Sequence, residues 1–262
     1  MPRDEGGWSY DEGMDGVEGG NGSGNNGGEK GGEKGGEKGG GKGNRVYLHA
    51  FYAASDPHYS GRVTTPTLWD RHARTVVNNE SSEILRMLNT QFKAHGAGGP
   101  DLYPQALRGE IDRVNEAVYR HINNGVYRCG FAQGQAAYEE AFRGMFETWD
   151  MLEALLGRHR YLVGNDLTEA DVRLFPTLVR FDPVYFSHFK CNLRRIADYP
   201  NLSNYLRDLY QLPQFGSTVN IEQYKRGYYG NSPRLNPSGI IPLGPELLLH
   251  QPHDRATRAY GD

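Results

Sequence analysis

The stretch Leu162-Val163-Gly164-Asn165-Asp166-Leu167-Thr168-Glu169-Ala170-Asp171-Val172 constrains this chain more than any other. Thr168 and Asp171 stand three residues apart, a variant of the capping box. The Thr168 hydroxyl is placed to accept from the Asp171 backbone N–H, and the Asp171 carboxylate to reach back to the Thr168 N–H. Leu167 before the cap and Val172 after it are spaced to close a hydrophobic staple. Val172, Phe175, Leu178 and Val179 follow at helical spacing, with Pro176 among them as an expected kink. A helix start this firm, with long helical periodicities on both sides, predicts a helical domain built around it.

Composition then divides the chain. Eighteen of the 35 glycines fall in residues 1–43, where Gly-Gly-Glu-Lys recurs three times between Gly27 and Lys38. Such a segment has almost nothing to bury and predicts a flexible coil. The net charge of −3, with both signs interspersed, provides no basic footprint for nucleic acid and no polybasic patch for a membrane. No apolar run approaches the length of a transmembrane helix, and the start lacks the build of a signal peptide. The two cysteines, Cys129 and Cys191, make no disulfide framework. The nine histidines show no paired metal-ligand spacing, so no metal is expected. The expectation is a soluble cytoplasmic protein.

Beyond the glycine-rich segment, Val46 to Ala54 predicts a short helix around Leu48, Phe51 and Tyr52. Arg62 to Asp70 reads as a strand broken by Pro66, with Arg74 to Val77 as its partner. Asn79-Glu80-Ser81-Ser82 opens a helix carrying Ile84, Leu88 and Phe92 four apart. After a boundary at Gly96–Pro100 the pattern is helical. One stripe runs Leu107, Ile111, Val114, Val118, Ile122; another runs Tyr138, Ala141, Met145, Trp149 (or Leu152), Leu156; a third runs Leu202, Tyr205, Leu206, Leu209. The proline-rich end, from Asn231, predicts an extended tail wrapping the helical part. The fold class expected is therefore α+β, with four segments: a low-complexity stretch 1–44, a partial α/β domain 45–98, an all-α domain 99–230 and a tail 231–262.

Half an α/β unit ending in Thr-Pro, followed by a helical domain capped after Tyr-Leu-Val-Gly, resembles the glutathione transferase architecture. There a thioredoxin-like domain precedes an all-α domain. Seven strings narrow the resemblance to the glutathionyl-hydroquinone reductases, an omega-like, xi-class branch, with Arg128-Cys129 and Pro252-His253-Asp254-Arg255 most like plant and algal members. They include Asp56-Pro57-His58-Tyr59-Ser60-Gly61-Arg62, Thr65-Pro66-Thr67-Leu68-Trp69-Asp70, Asn123-Asn124-Gly125-Val126-Tyr127, Arg180-Phe181-Asp182-Pro183-Val184-Tyr185 and His188-Phe189-Lys190-Cys191. The resemblance implies glutathione as co-substrate and quinol-type small molecules as partners, in a homodimer, with no nucleic acid, membrane or metal. It matches Glu80 and Ser81 to the pair that holds the γ-glutamyl end of glutathione. A carboxylate suits the ammonium; the serine hydroxyl and helix-start N–H groups suit the carboxylate. It further matches Thr65 to the residue before a cis proline that lends its backbone to the cysteinyl part, and Trp8 to a glutathione-packing tryptophan. Tyr127 and Tyr228 match acceptor-pocket tyrosines, whose hydroxyls bond a quinol oxygen while the rings pack on its face.

One departure stands against this. Members of that branch attack with a Cys-Pro cysteine on the first helix of the thioredoxin-like domain, and this chain contains no Cys-Pro. The expectation is an N-terminally truncated relative, without the first strand, first helix and second strand, and with no catalytic residue of its own. Cys129 and Cys191 are expected to be ordinary structural thiols. Activity is then poor or absent, and the alternative is a catalytically silent binding or dimerisation module.

Overall fold

A computed structural model describes residues 47–96 and 98–260 in full, and the backbone pairing of three strands at the start of the chain. The chain divides into two units, Met1–Ile84 and Leu85–Asp262. The boundary thus falls inside a helix, upstream of the Gly96–Pro100 loop.

In the first unit, β1 (Arg3–Asp4), β2 (Gly7–Asp11) and β3 (Arg45–Tyr47) form an antiparallel sheet in that order. Gly7–Asp11 lies outside the glycine repeats and alternates Trp8 and Tyr10, residue types suited to a strand, which corrects the expectation of coil throughout 1–43. Val46 belongs to β3, paired with Tyr10, so the following helix starts two residues later than expected. That helix, α1 (Leu48–Ser55), buries Leu48, Phe51 and Tyr52 on one face against Ala50, Val63, Trp69 and Val76. Only Leu68–Asp70 of the broken strand pairs (β4); Pro66 has no N–H to offer a ladder. Its antiparallel partner is β5 (Thr75–Asn78), with a bulge between Leu68 and Trp69. The turn between them is closed by the Asp70 carboxylate, which accepts from the His72 and Ala73 N–H groups at 2.8 and 2.9 Å.

Helix α2 (Ser81–Thr90) begins in the first unit and ends in the second. It stops before Phe92, and Leu88 is exposed, so the expected apolar row does not become a core face. Polar side chains fasten it instead. Arg86 ion-pairs with Glu169 and Asp112, and the Asn89 amide donates to Asp101 at 2.8 Å.

The second unit is helical: α3 (Arg108–Ala117), α4 (Gly125–Gly130), α5 (Gln135–Leu156), α6 (Glu169–Arg180), α7 (Phe186–His188), α8 (Pro200–Gln211), α9 (Pro213–Gly216) and α10 (Ile221–Tyr229). Wider π-type turns, residues 118–123 and 181–185, join α3 towards α4 and α6 to α7. Every expected stripe is found in one core: Ile111, Val118 and Ile122; Ala141, Met145, Trp149, Leu152 and Leu156; Leu202, Tyr205, Leu206 and Leu209. Pro176 lies inside α6 on its exposed side, and the helix continues past it to Arg180. Among the described residues no helix is long and apolar enough to cross a membrane.

Tail residues 231–260 form no helix or strand, yet they are pinned to the helices. Lys225 donates to the Leu243 and Gly244 carbonyls at 2.7 and 2.9 Å, and Gln211 to those of Leu249 and Gln251 at 3.0 and 2.8 Å. Arg255 is fully buried, its guanidinium donating to the Leu156, His159 and Arg160 carbonyls at and just past the end of α5. It supplies both donors and positive charge where a helix end needs them.

Candidate functional site

Two sets of residues carry chemistry, one in each unit. In the first unit the Thr65–Pro66 peptide is cis. The loop around it is held by the Tyr52 hydroxyl, which donates to the Thr64 carbonyl at 2.9 Å and meets the Thr67 hydroxyl at 3.0 Å. Asn79 donates to the Thr64 hydroxyl at 3.2 Å, tying the loop to the start of α2. Asn78 completes that start: its side-chain Oδ1 accepts from Glu80 N–H at 2.7 Å and its side-chain Nδ2 donates to Glu83 at 2.6 Å. Glu80 is the cap, its carbonyl accepting from Glu83 and Ile84. The outcome is an exposed row: the Thr65 backbone, the Glu80 and Ser81 side chains and the Ser81 and Ser82 N–H groups have no protein partner among the described residues. This row offers one backbone stretch, one carboxylate, one hydroxyl and two helix-start donors. The Trp8 side chain lies outside the described residues.

In the second unit Tyr127 projects from α4 and Tyr228 from α10, more than a hundred positions along the chain, yet their hydroxyls lie 2.6 Å apart. A third tyrosine, Tyr185, extends the row, with its hydroxyl 2.8 Å from that of Tyr228. Phe189 fills the space between the rings, 5.5 Å from Tyr127, 5.4 Å from Tyr185 and 5.9 Å from Tyr228. Tyr185 and Phe189 stand four apart across α7, the spacing that puts both rings on one helix side. Tyr185 was not singled out by sequence reasoning; its four-residue spacing to Phe189 was the available signal.

The row runs from outside to inside: Tyr127 is 39% exposed and Tyr185 only 2%. Burial pushes the Tyr228 and Tyr185 phenols up from their ordinary value, so both are neutral donors near neutral pH. Three O–H groups share two mutual hydrogen bonds, which leaves one donor free. If the bonds run from Tyr185 towards Tyr127, the exposed Tyr127 hydroxyl donates to a ligand oxygen. If they run the other way, it accepts from a ligand hydroxyl. The exposed end of the row can therefore bond an oxygen atom in either direction.

The second unit also contains the capped helix start of α6. The Asp171 carboxylate closes back onto the cap, accepting from the Thr168 N–H at 2.9 Å and from the Thr168 hydroxyl at 3.1 Å. Asp171 also accepts from Leu162 N–H at 3.0 Å and Tyr205 O–H at 2.6 Å. It is fully buried, and burial pushes its carboxyl up against those bonds, which pull it down. Thr168 and Asp171 are therefore cross-links between α6, α8 and the preceding loop. Glu169, also buried, receives Arg86 at 2.8 Å and Asn115 at 2.9 Å. Cys129 and Cys191 are both buried and unbridged. Among the described residues no group of three or more His, Cys, Asp or Glu could hold a metal ion.

With this geometry in place, comparison with known proteins gives a consistent result. Residues 135–208 match the family model "Glutathione S-transferase, C-terminal domain". The structure superposes on the glutathione-bound YqjG from Escherichia coli K-12, with a TM-score of 0.80 and 52% identity, covering 83% of this chain and 70% of that one. The xi glutathione transferase of Phanerochaete chrysosporium gives a TM-score of 0.75 and 50% identity over 79% and 71% of the two chains. These neighbours define the fold as that of a glutathione transferase: a thioredoxin-like part, here partial, followed by the helical domain.

The chain belongs to the xi-class, omega-like glutathione transferases, the group that includes the glutathionyl-hydroquinone reductases. It is 53% identical over 212 residues to the glutathionyl-hydroquinone reductase YqjG of Escherichia coli, covering 81% of this chain and 65% of that protein. With PcpF of Sphingobium chlorophenolicum, another glutathionyl-hydroquinone reductase, identity is 56% over 203 residues, 78% of this chain and 65% of that one. The chain thus spans 65%, just under two thirds, of the length of these curated relatives.

Proposed function

We propose that this chain binds glutathione and quinol-type rings as a glutathionyl-hydroquinone reductase does. In that role glutathione is removed from glutathionyl-quinols at the expense of a second glutathione. The observation that carries the reading is the hydroxyl row Tyr127–Tyr228–Tyr185, with one spare proton and one exposed end, in a chain closely related to such enzymes. Tyr127 and Tyr228 bond the quinol oxygen, and Phe189 packs against its ring. Glu80 pairs with the γ-glutamyl ammonium, Ser81 and the α2 N–H groups hold the carboxylate, and the Thr65 backbone pairs with the cysteinyl part. Trp8 is assigned to packing on glutathione.

The reacting sulfur of such enzymes lies in a Cys-Pro sequence, which these 262 residues do not contain. That observation favours a second reading beside the first: a binding or dimerisation module that retains both ligand surfaces without thiol transfer. We further propose a homodimer located in the cytoplasm; light scattering of the purified chain and imaging of the tagged chain test these two points. Calorimetry with glutathione and with hydroquinone, followed by turnover of glutathionyl-hydroquinone, separates the two readings. Binding with turnover supports the enzyme, and binding without turnover supports the module. Failure to bind either ligand overturns both.

A further inference from the structure

A cleft of about 730 Å³ opens between the first two turns of α8 and the tail, and it shares no residue with the two ligand surfaces described above. Its helical wall follows from spacing. Asn201 and Asn204 stand three apart and Ser203 and Arg207 four apart, so neighbouring turns of α8 present all four to the cleft. Each asparagine is used at both ends. The Asn201 amide donates to Glu153 on α5 at 2.9 Å, which leaves its side-chain oxygen to accept from Arg258 at 2.9 Å. The Asn204 amide donates to Asp254, and its side-chain oxygen accepts from Arg207 at 3.3 Å. The tail wall is fixed as well. Arg255 anchors it to the end of α5, and the Thr257 and Arg258 N–H groups donate to the Asp254 carbonyl at 3.0 and 2.9 Å.

Two guanidinium groups, those of Arg207 and Arg258, therefore line the cleft, and neither has a carboxylate partner among the described residues. Arg207 is the clearer case. It is half-buried, its Nε is buried with no hydrogen-bond partner, and its terminal nitrogens reach only Asn204 at 3.3 Å and the Ser203 hydroxyl at 3.5 Å. A guanidinium carries five donors, and leaving a buried one unmet is costly. His253 adds a second buried nitrogen without a partner, Nδ1, while its Nε2 faces Asp208 at 3.7 Å. Against the two arginine charges the cleft sets one carboxylate, that of Asp254, so its balance is positive.

We propose that this cleft binds the phosphate dianion, the group shared by inorganic phosphate and small phosphate esters. Guanidinium forks match phosphate oxygens two donors at a time, and Arg207 and Arg258 bring two such forks from different elements. Both are held by asparagine oxygens before any ligand arrives, which lowers the cost of ordering them on binding. The Ser203 hydroxyl beside Arg207 supplies a neutral donor. The volume exceeds that of a phosphate ion, and the exposed Asp254 carboxylate can accept from a hydroxyl, so the remainder of an ester also has a place.

The test titrates the full folded chain by calorimetry with inorganic phosphate, glucose 6-phosphate and glucose, in low-salt buffer slightly above neutral pH. Both phosphates should give heat and glucose none. Tighter binding of inorganic phosphate marks the free ion as the source, and tighter binding of glucose 6-phosphate marks an ester. Arg207→Gln should weaken binding about tenfold and Arg258→Gln about fivefold, the worth of charge-assisted hydrogen bonds. Arg143→Gln, at an exposed arginine of α5 outside the cleft, should leave the affinity unchanged. In wild type the nuclear magnetic resonance signal of the Arg207 Nε–H should shift as phosphate is added. No heat with either phosphate, an equal response to glucose, a still Arg207 signal, full affinity in Arg258→Gln, or the same loss in Arg143→Gln each overturn the proposal. Arg258 is exposed, so its variant decides the matter even where Arg207→Gln unfolds. None of these readouts depends on whether the chain binds glutathione or quinols.

Discussion

The two units are held together by different means. Among the described residues, the first rests on three buried side chains, Leu48, Phe51 and Tyr52, with four half-buried neighbours. The second has one continuous core that runs through α3, α5, α6 and α8 and is closed by the tail. Among the described residues the first unit's apolar cluster is small, whereas the helical unit buries one large continuous core. Polar cross-links follow the same division. Hydrogen bonds in the first unit lie near the surface and shape the loop around Thr65 and the helix start at Glu80. In the second, the Asp171 and Arg255 bonds are buried and join elements far apart in sequence. Among the described residues, the loop at Thr65 and Glu80 thus lies beside the smaller apolar cluster and the tyrosine row on the larger.

Substitutions can break or sharpen this contrast. Phe51→Ala should have the largest effect, about 3–5 kcal/mol, enough to melt the first unit. Hydrogen exchange should then lose protection over residues 48–78 while residues 108–229 keep theirs. Loss in both would show that the units unfold as one. Arg255→Ala should cost about 3 kcal/mol in urea unfolding of the helical unit, because it strands the buried Leu156 carbonyl and the half-buried His159 and Arg160 carbonyls. An unchanged midpoint would remove the tail from the core. Thr168→Ala should cost about 1 kcal/mol in the same measurement, the ordinary worth of a cap.

Tyr228→Phe breaks the hydroxyl row but keeps the ring. Hydroquinone affinity should fall about five- to tenfold, the worth of one hydrogen bond, with little change in the melting temperature. Unchanged affinity would move the ligand elsewhere. The smallest effect is a sign. Burial raises the Asp171 carboxyl in the folded state, so its favourable contribution is present below the unfolded value of about 4 and is lost as pH rises through the folded value. Wild type should therefore lose stability relative to Asp171→Asn between acid and neutral pH. Asp198 has the opposite sign: the Arg195 side chain holds it below its ordinary value, and its contribution is lost as pH falls.

Much of this was legible beforehand. Helical periodicity located every stripe of the second core, and the Thr168–Asp171 spacing located its cap, because both signals are local. Less local features were misread. Val46 carries no mark that distinguishes a strand from a helix start until β2 pairs with it. Leu88 and Phe92 have core-like spacing, but α2 is fastened by Arg86 and Asn89, and both apolar residues are exposed.

By itself, then, the sequence determined the α+β class, the helical core and the residues whose chemistry suits glutathione and a quinol. These depend on periodicity, capping and side-chain type, which are written residue by residue. Only the tertiary structure decided that Tyr185 joins Tyr127 and Tyr228, and that a tail arginine closes α5. Each is a meeting of segments brought together by packing of the whole core, and no short-range pattern encodes which segments meet.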